Sequence, residues 1–280
     1  MTDLRIRRQR AASLLVMLAP LACAADVAGA VNSVRARGCD ARPGGTAPLR
    51  ASARLDAVAR QLAAGAPLGV ALARANYTAV SSFSVSVSEV APDGDVARVL
   101  AQQFCRQSTN PAFREIGSAR RGAQVWIALA EPFVPPARRD AAAIGERVLQ
   151  LANAARAQPR RCGLKAFAAA APLALNAALG RAALAYAQEL ARHTYMEHTG
   201  LDGSSPAQRV TRSGYRWRAT GENLASGVMT PEEVIAGWLA SPDHCANLMD
   251  PAFSEMGVGF GVNPHDERGV YWALEFGRPQ

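Results

Sequence analysis

Two stretches of this 280-residue chain repeat one another at a constant offset of 140 residues. Cys105-Arg-Gln-Ser-Thr-Asn-Pro-Ala-Phe-Arg-Glu-Ile-Gly117 matches Cys245-Ala-Asn-Leu-Met-Asp-Pro-Ala-Phe-Ser-Glu-Met-Gly257 in its cysteine, Pro-Ala-Phe, glutamate and glycine. Each copy runs on into an apolar strand that reaches a tryptophan, Trp126 in the first and Trp272 in the second. The halves also begin alike: Val31-Asn-Ser-Val-Arg-Ala-Arg-Gly-Cys39 parallels Leu151-Ala-Asn-Ala-Ala-Arg-Ala-Gln-Pro-Arg-Arg-Cys162, and Ala47-Pro-Leu parallels Ala171-Pro-Leu. A repeat of this length implies a duplicated domain. A chain of 280 residues, 49% hydrophobic, has the apolar content for two cores. Pro132-Phe-Val-Pro-Pro-Ala-Arg-Arg139 separates the copies. We therefore expect domains over residues 26–134 and 137–280.

Residues 1–24 read as an export signal: Arg5, Arg7, Arg8 and Arg10, an apolar run from Leu14 to Leu21, then small residues around Ala22-Cys23-Ala24. The run is too short to span a bilayer comfortably, and no later apolar run is long enough to cross one. A lipidated Cys23 is disfavoured by Pro20. Removing the signal takes away four arginines and one aspartate, so the formal charge falls from +8 to +5. The arginines are scattered and Lys165 is the single lysine, which argues against a nucleic-acid stripe. The expected location is secreted or periplasmic. Four cysteines then remain, an even number for an oxidising compartment. Each copy carries one after its first helix and one before Pro-Ala-Phe. The repeat therefore pairs Cys39 with Cys105 and Cys162 with Cys245, the alternative being four free buried thiols.

In the second copy, helical spacing covers Ala141 to Ala157 and Ala177 to His193. Thr230-Pro231-Glu232-Glu233 has the cap, first-turn proline and acidic start of a third helix, ending near Ser241-Pro242. Met256 to Val262 and Val270 to Phe276 read as antiparallel strands joined by a turn-rich segment. The domain is mixed helix and sheet, with Trp217, Trp238 and Trp272 as core candidates.

The chemistry-bearing residues cluster here as well. Of four histidines, His193 falls in a helix pattern and His265 in a turn, whereas His198 and His244 stand near Gly221-Glu222-Asn223 in motif order. The order of motifs in residues 141–277 resembles the CAP superfamily of cysteine-rich secretory proteins, antigen 5 and plant pathogenesis-related class 1 proteins, in its bacterial secreted branch. The matching residues are Asn153 and Arg156, His198-Thr-Gly-Leu-Asp-Gly203, Gly221-Glu-Asn-Leu-Ala225, Trp238 with Ser241-Pro-Asp-His244, and Asn247-Leu248. The resemblance implies an α+β fold, an α-β-α sandwich around an antiparallel sheet, preceded by a degenerate, shorter CAP-like copy. It also implies an open cleft built from two histidines and two glutamates.

His198, Glu222 and His244 take three of those places. At the fourth, three residues after Trp238, stands Ser241, and neither Glu233 nor Glu275 is a secure substitute. His198, His244 and Glu222 are the candidate ligands for zinc or another divalent metal, Glu222 either completing the ligand set or fixing a histidine tautomer. Asn223, Tyr215 and Ser241 are candidate ligand-binding residues, with Tyr215 and Trp217 as a possible cleft wall. A metal-dependent hydrolase of peptides or envelope components would use His198, Glu222 and His244 as catalytic candidates. A serine nucleophile would need Ser241 beside His244. A plainer reading makes Glu222 and Asn223 a loop anchor in a disulfide-braced interaction module. The leading expectation is extracellular binding of a divalent metal, a small ligand or an envelope component. Aligning Tyr77 with Tyr215 puts Ser84 at Glu222's place, and the first copy has no histidine.

Overall fold

The structure, a computed structural model, describes residues 27–40, 42–88 and 96–280. The expected export signal and Cys23 lie outside the described residues. The chain divides into two compact units, the first running to Tyr77 and then over Ser81–Glu131, the second comprising Thr78–Val80 and Pro132–Gln280.

The first unit contains α1 (Val27–Arg37), β1 (Gly38–Cys39), β2 (Arg42–Pro43), β3 (Arg50–Ala51), α2 (Ala53–Ala63), α3 (Leu68–Arg74), β4 (Ala79–Val87), α4 (Val96–Gln103), α5 (Cys105–Ser108), β5 (Glu115–Arg121) and β6 (Gln124–Pro132). The second repeats that order with α6 (Ala141–Arg156), β7 (Arg160–Cys162), β8 (Lys165–Phe167), β9 (Ala174–Leu175), α7 (Ala177–His193), α8 (Pro206–Arg212), β10 (Trp217–Ser226), α9 (Pro231–Ala240), α10 (Pro242–Met249), β11 (Glu255–Val262) and β12 (Val270–Pro279). The main sheets have matching orders, β3-β5-β6-β4 and β9-β11-β12-β10. In each, the short edge strand is parallel to its neighbour and the following hairpin is antiparallel.

The duplication extends to individual hydrogen bonds. Arg35, 1% exposed, donates to the carbonyls of Ala47, Ser108, Asn110 and Phe113; Arg156, 0% exposed, donates to those of Ala171, Leu248, Asp250 and Phe253. In both units, the guanidinium pins the Pro-Ala-Phe turn to the first helix. The amides of Asn32 and Asn153 bridge the backbone of Leu49 and Leu173 in the same reciprocal way. The hydroxyls of Tyr77 and Tyr215 bond to Glu115 and Glu255. The expected disulfides, Cys39–Cys105 and Cys162–Cys245, are both formed. Gly117 and Gly257 are repeat glycines because helix backbone lies directly on the strand: a Cβ would come within 2.0 Å of Leu55 and Gly180 backbone atoms, respectively.

One sequence correspondence shifts. The pairs Ile116–Leu129 and Met256–Phe276 set the hairpin registers, which place Val125, not Trp126, at the station of Trp272. Trp126 therefore points to the opposite face from Trp272, because strand side chains alternate. Trp272 is fully buried in the second core.

The second unit is a three-layer sandwich. Trp272, Leu274 and Phe276 face a core with Val148, Val234, Trp238 and Leu248, from α6, α9 and α10. Leu224, Tyr271 and Ala273 pack instead on Ala183, Tyr186, Ala187 and Leu190 of α7. The sequence expected Glu222 and Asn223 in a loop, but they lie on β10, an edge strand whose ladder with β12 pairs Glu222 with Glu275 and Asn223 with Leu274. The capping signals behave as read: Thr230 and Glu233 form a capping box with Pro231 at the first turn of α9. Glu233 is thus committed to a helix terminus. Ser241 ends α9 and starts α10, so the motif Ser241-Pro-Asp-His244 opens a separate helix.

Candidate functional site

The site forms where the two helical layers meet the edge strand β10. Alternation along β10 turns Glu222 toward the α7 layer and Asn223 toward α10. Asn223 is fully buried, donates to the His244 carbonyl at 2.9 Å and accepts from Asn247 Nδ2 at 3.0 Å. Asn247 also donates to the Glu222 carbonyl. These bonds fix the start of α10 against β10, and the Cys162–Cys245 disulfide holds the same turn to β7. Asn223 is therefore a buried anchor between the two elements.

His198 comes from the segment between α7 and α8. That segment is held at both ends: the Tyr186 hydroxyl donates to the Glu197 carbonyl, and Leu201 N–H donates to Glu189 at 3.1 Å. A capping box between Ser205 and Gln208, with Pro206 behind it, starts α8 and delivers Arg209 one turn in. The Arg209 guanidinium lies 3.4 Å from the Tyr186 ring centroid. It donates to the carbonyls of Ser204 and His198 and to Glu222 Oε2 at 2.6 Å.

Glu222 is the hub. Its side chain is 1% exposed, with Oε2 on Arg209 and Oε1 2.6 Å from His198 Nδ1, whose side chain is 55% exposed. These two hydrogen bonds offset the cost of burying a carboxyl group there. The hydrogen bond to Glu222 raises the His198 pKa, outweighing the opposing effect of partial burial. His244 moves the other way: burial lowers its pKa, and the charge of His198 lowers it further. The His244 ring makes no hydrogen bond among the described residues.

The structure thus joins His198 to Glu222 directly and sets His244, whose backbone carbonyl is held by Asn223, close enough for the charge of His198 to act on it. It adds Arg209, which charge scatter along the sequence did not single out; a buried glutamate's need for a counter-charge was the available signal. Tyr215 and Trp217 line a cavity of about 520 Å³ with Thr211, Gly214, Arg216 and Gln280, and none of His198, Glu222 and His244 borders it. Tyr215 is turned inward, with its hydroxyl on Glu255. Ser241 makes no hydrogen bond to His244, so the nucleophile–base contact of a serine mechanism is not made.

For a metal, Glu222 is a poor direct ligand because its carboxylate is already paired with the Arg209 guanidinium, whose positive charge opposes a cation beside it. Among the described residues, no three His, Cys, Asp or Glu side chains are gathered as a metal-binding group. The imidazole nitrogens of this site left without a hydrogen bond among the described residues are Nε2 of His198, whose Nδ1 is on Glu222, and those of the His244 ring.

The second unit is thus a three-layer sandwich, braced by one disulfide, with a histidine–glutamate pair on its edge strand. Residues 149–276 match the sequence model of the Cysteine-rich secretory protein family, CAP. The second unit belongs to that family. "Uncharacterized protein YkwD" of Bacillus subtilis (strain 168) is 32% identical over 131 residues, 47% of this chain, and the chain spans 46% of that relative's length. Among solved structures, Na-ASP-1 superposes with a TM-score of 0.55 at 11% identity, over 91% of this chain and 88% of its own, so the likeness in fold takes in both units. An extracellular protein containing a SCP domain from Bacillus anthracis str. Ames matches 56% of this chain and 52% of its own, at 17% identity and a TM-score of 0.43.

Proposed function

We propose that this chain is an extracellular binding protein whose second unit holds a divalent transition metal through His198 and His244, leaving coordination positions open to an external ligand. The first unit is a degenerate CAP-like copy serving as a packing or interaction partner. The observation that carries the reading is the His198 Nδ1–Glu222 Oε1 bond of 2.6 Å, with the other carboxylate oxygen held by Arg209. A carboxylate on one ring nitrogen fixes the tautomer and directs the other nitrogen outward, as it does behind histidine metal ligands generally. Imidazole donors suit zinc, copper and nickel. The bound ion would supply Lewis acidity to its ligand.

Two disulfides, which persist in oxidising compartments, support the extracellular reading. No helix among the described residues is long and apolar enough to cross a membrane. With two protein donors rather than three or four, affinity should be modest. Calorimetric zinc titration of the wild type should give one site that a His198→Ala His244→Ala variant lacks. Protons compete with metal for imidazole nitrogen, and the His198 pKa is raised. Zinc affinity should therefore fall as pH drops through that raised value and recover above it. Equal heats for wild type and variant would end the metal reading.

A further inference from the structure

Glu275 lies within β12, 0% exposed, and neither of its carboxyl oxygens has a hydrogen-bond partner among the described residues. It stands directly opposite Glu222 in the β10–β12 ladder. Directly opposed residues of an antiparallel pair share a face, with Cβ atoms about 4.5 to 5.5 Å apart. That face is the one on which Leu224, Ala273 and Tyr271 pack against α7.

Two carboxylates cannot both stay ionised at this spacing in a dry site. Arg209 decides between them, because its guanidinium binds Glu222. Burial, and then the negative charge of Glu222, push the Glu275 carboxyl well above the usual carboxylate range. Buried and without a cationic partner, Glu275 is the member of the pair placed to hold a proton, and a hydroxyl there needs an acceptor. Glu222 has that capacity: a carboxylate offers about four lone-pair sites, and His198 and Arg209 take one each.

We propose that Glu275 is a positioning residue, a buried carboxylic acid that donates a hydrogen bond across the sheet to Glu222 and so fixes the carboxylate that orients His198. The first unit supports the pairing by its loss. Gly257 pairs with Glu275 and the equivalent Gly117 pairs with Ala128, so alanine stands at the Glu275 station. Ser84 stands at the Glu222 station when Tyr77 is aligned with Tyr215. Both acids are missing from the copy that has no histidine.

The inference depends on the Glu222–His198 pairing and not on a bound metal, so it is tested on the metal-free protein. Wild type at neutral pH should show the infrared carbonyl stretch of a protonated buried carboxyl, and Glu275→Gln should lack it. In spectra of ¹⁵N-histidine-labelled protein, the hydrogen-bonded Nδ1–H proton of His198 should persist in Glu275→Gln, whose amide still donates, and be lost or moved upfield in folded Glu275→Leu. The absence of the carboxyl band from wild type, or its persistence in Glu275→Gln, would overturn the proposal. A wild-type His198 signal in Glu275→Leu would do the same. Should Glu275→Leu fail to fold, the glutamine variant decides, because loss of the His198 signal there contradicts the assigned role.

Discussion

Replacing Arg156 with alanine is expected to destabilise the second unit by about 3 to 5 kcal/mol, the range for removing one partner from a buried charged network. The guanidinium is 0% exposed and donates to four carbonyls, those of Ala171, Leu248, Asp250 and Phe253. Each buried acceptor left unsatisfied costs about 1 to 3 kcal/mol before relaxation or entry of water. Lysine should rescue little, because a point charge cannot replace a planar fork that reaches four acceptors. Arg35→Ala should do the same to the first unit, since Arg35 makes the equivalent bonds. Denaturant unfolding followed by circular dichroism measures both. An Arg156→Ala midpoint equal to wild type would mean that the carbonyls find other partners and that the shared arginine is incidental to the fold.

The second large effect belongs to the Cys162–Cys245 disulfide, which closes a separation of 83 residues. Removing it as a Cys162→Ser Cys245→Ser double variant should cost roughly 2 to 4 kcal/mol, chiefly by freeing the unfolded chain. The consequence reaches the site, because Cys245 follows His244 and the bond holds the first turn of α10 beside β7. The double variant should retain the His198–Glu222 pairing, which arises on the other side of β10, while the His244 segment loosens. Thermal unfolding and the histidine ring resonances report these effects separately. An unchanged transition midpoint would contradict the stabilising role given to the bond.

How far these features could be read in advance depended on the range of the interaction behind them. Helix α7 was bounded correctly at Ala177–His193 because apolar spacing and the ending are local, and Thr230-Pro231 marked the start of α9 for the same reason. The cysteine pairing came from the repeat, which supplies long-range information within one chain. The α10 helix is not legible in the sequence, because Ser241 closes one helix while opening the next and Pro242 reads as a stop as readily as a start. Gly-Glu-Asn carries no strand signal until β12 pairs with it, so the sequence reads as a loop where β10 runs. Arg209 and Glu275 stayed hidden for a related reason. Their meeting with Glu222 depends on a helix–strand approach and a cross-strand register, neither of which is written near them. Glu275 is brought to Glu222 by the strand register alone.

The most direct test follows the four histidine rings of ¹⁵N-labelled protein by NMR while zinc is added above and below the raised His198 pKa. The account predicts that His198 and His244 shift together at the higher pH, with His198 bound through Nε2 and its Nδ1–H still on Glu222, and that the effect weakens at the lower pH. His193 and His265 should stay still throughout. Zinc that moves His193 or His265 while leaving His198 and His244 unchanged would contradict the account.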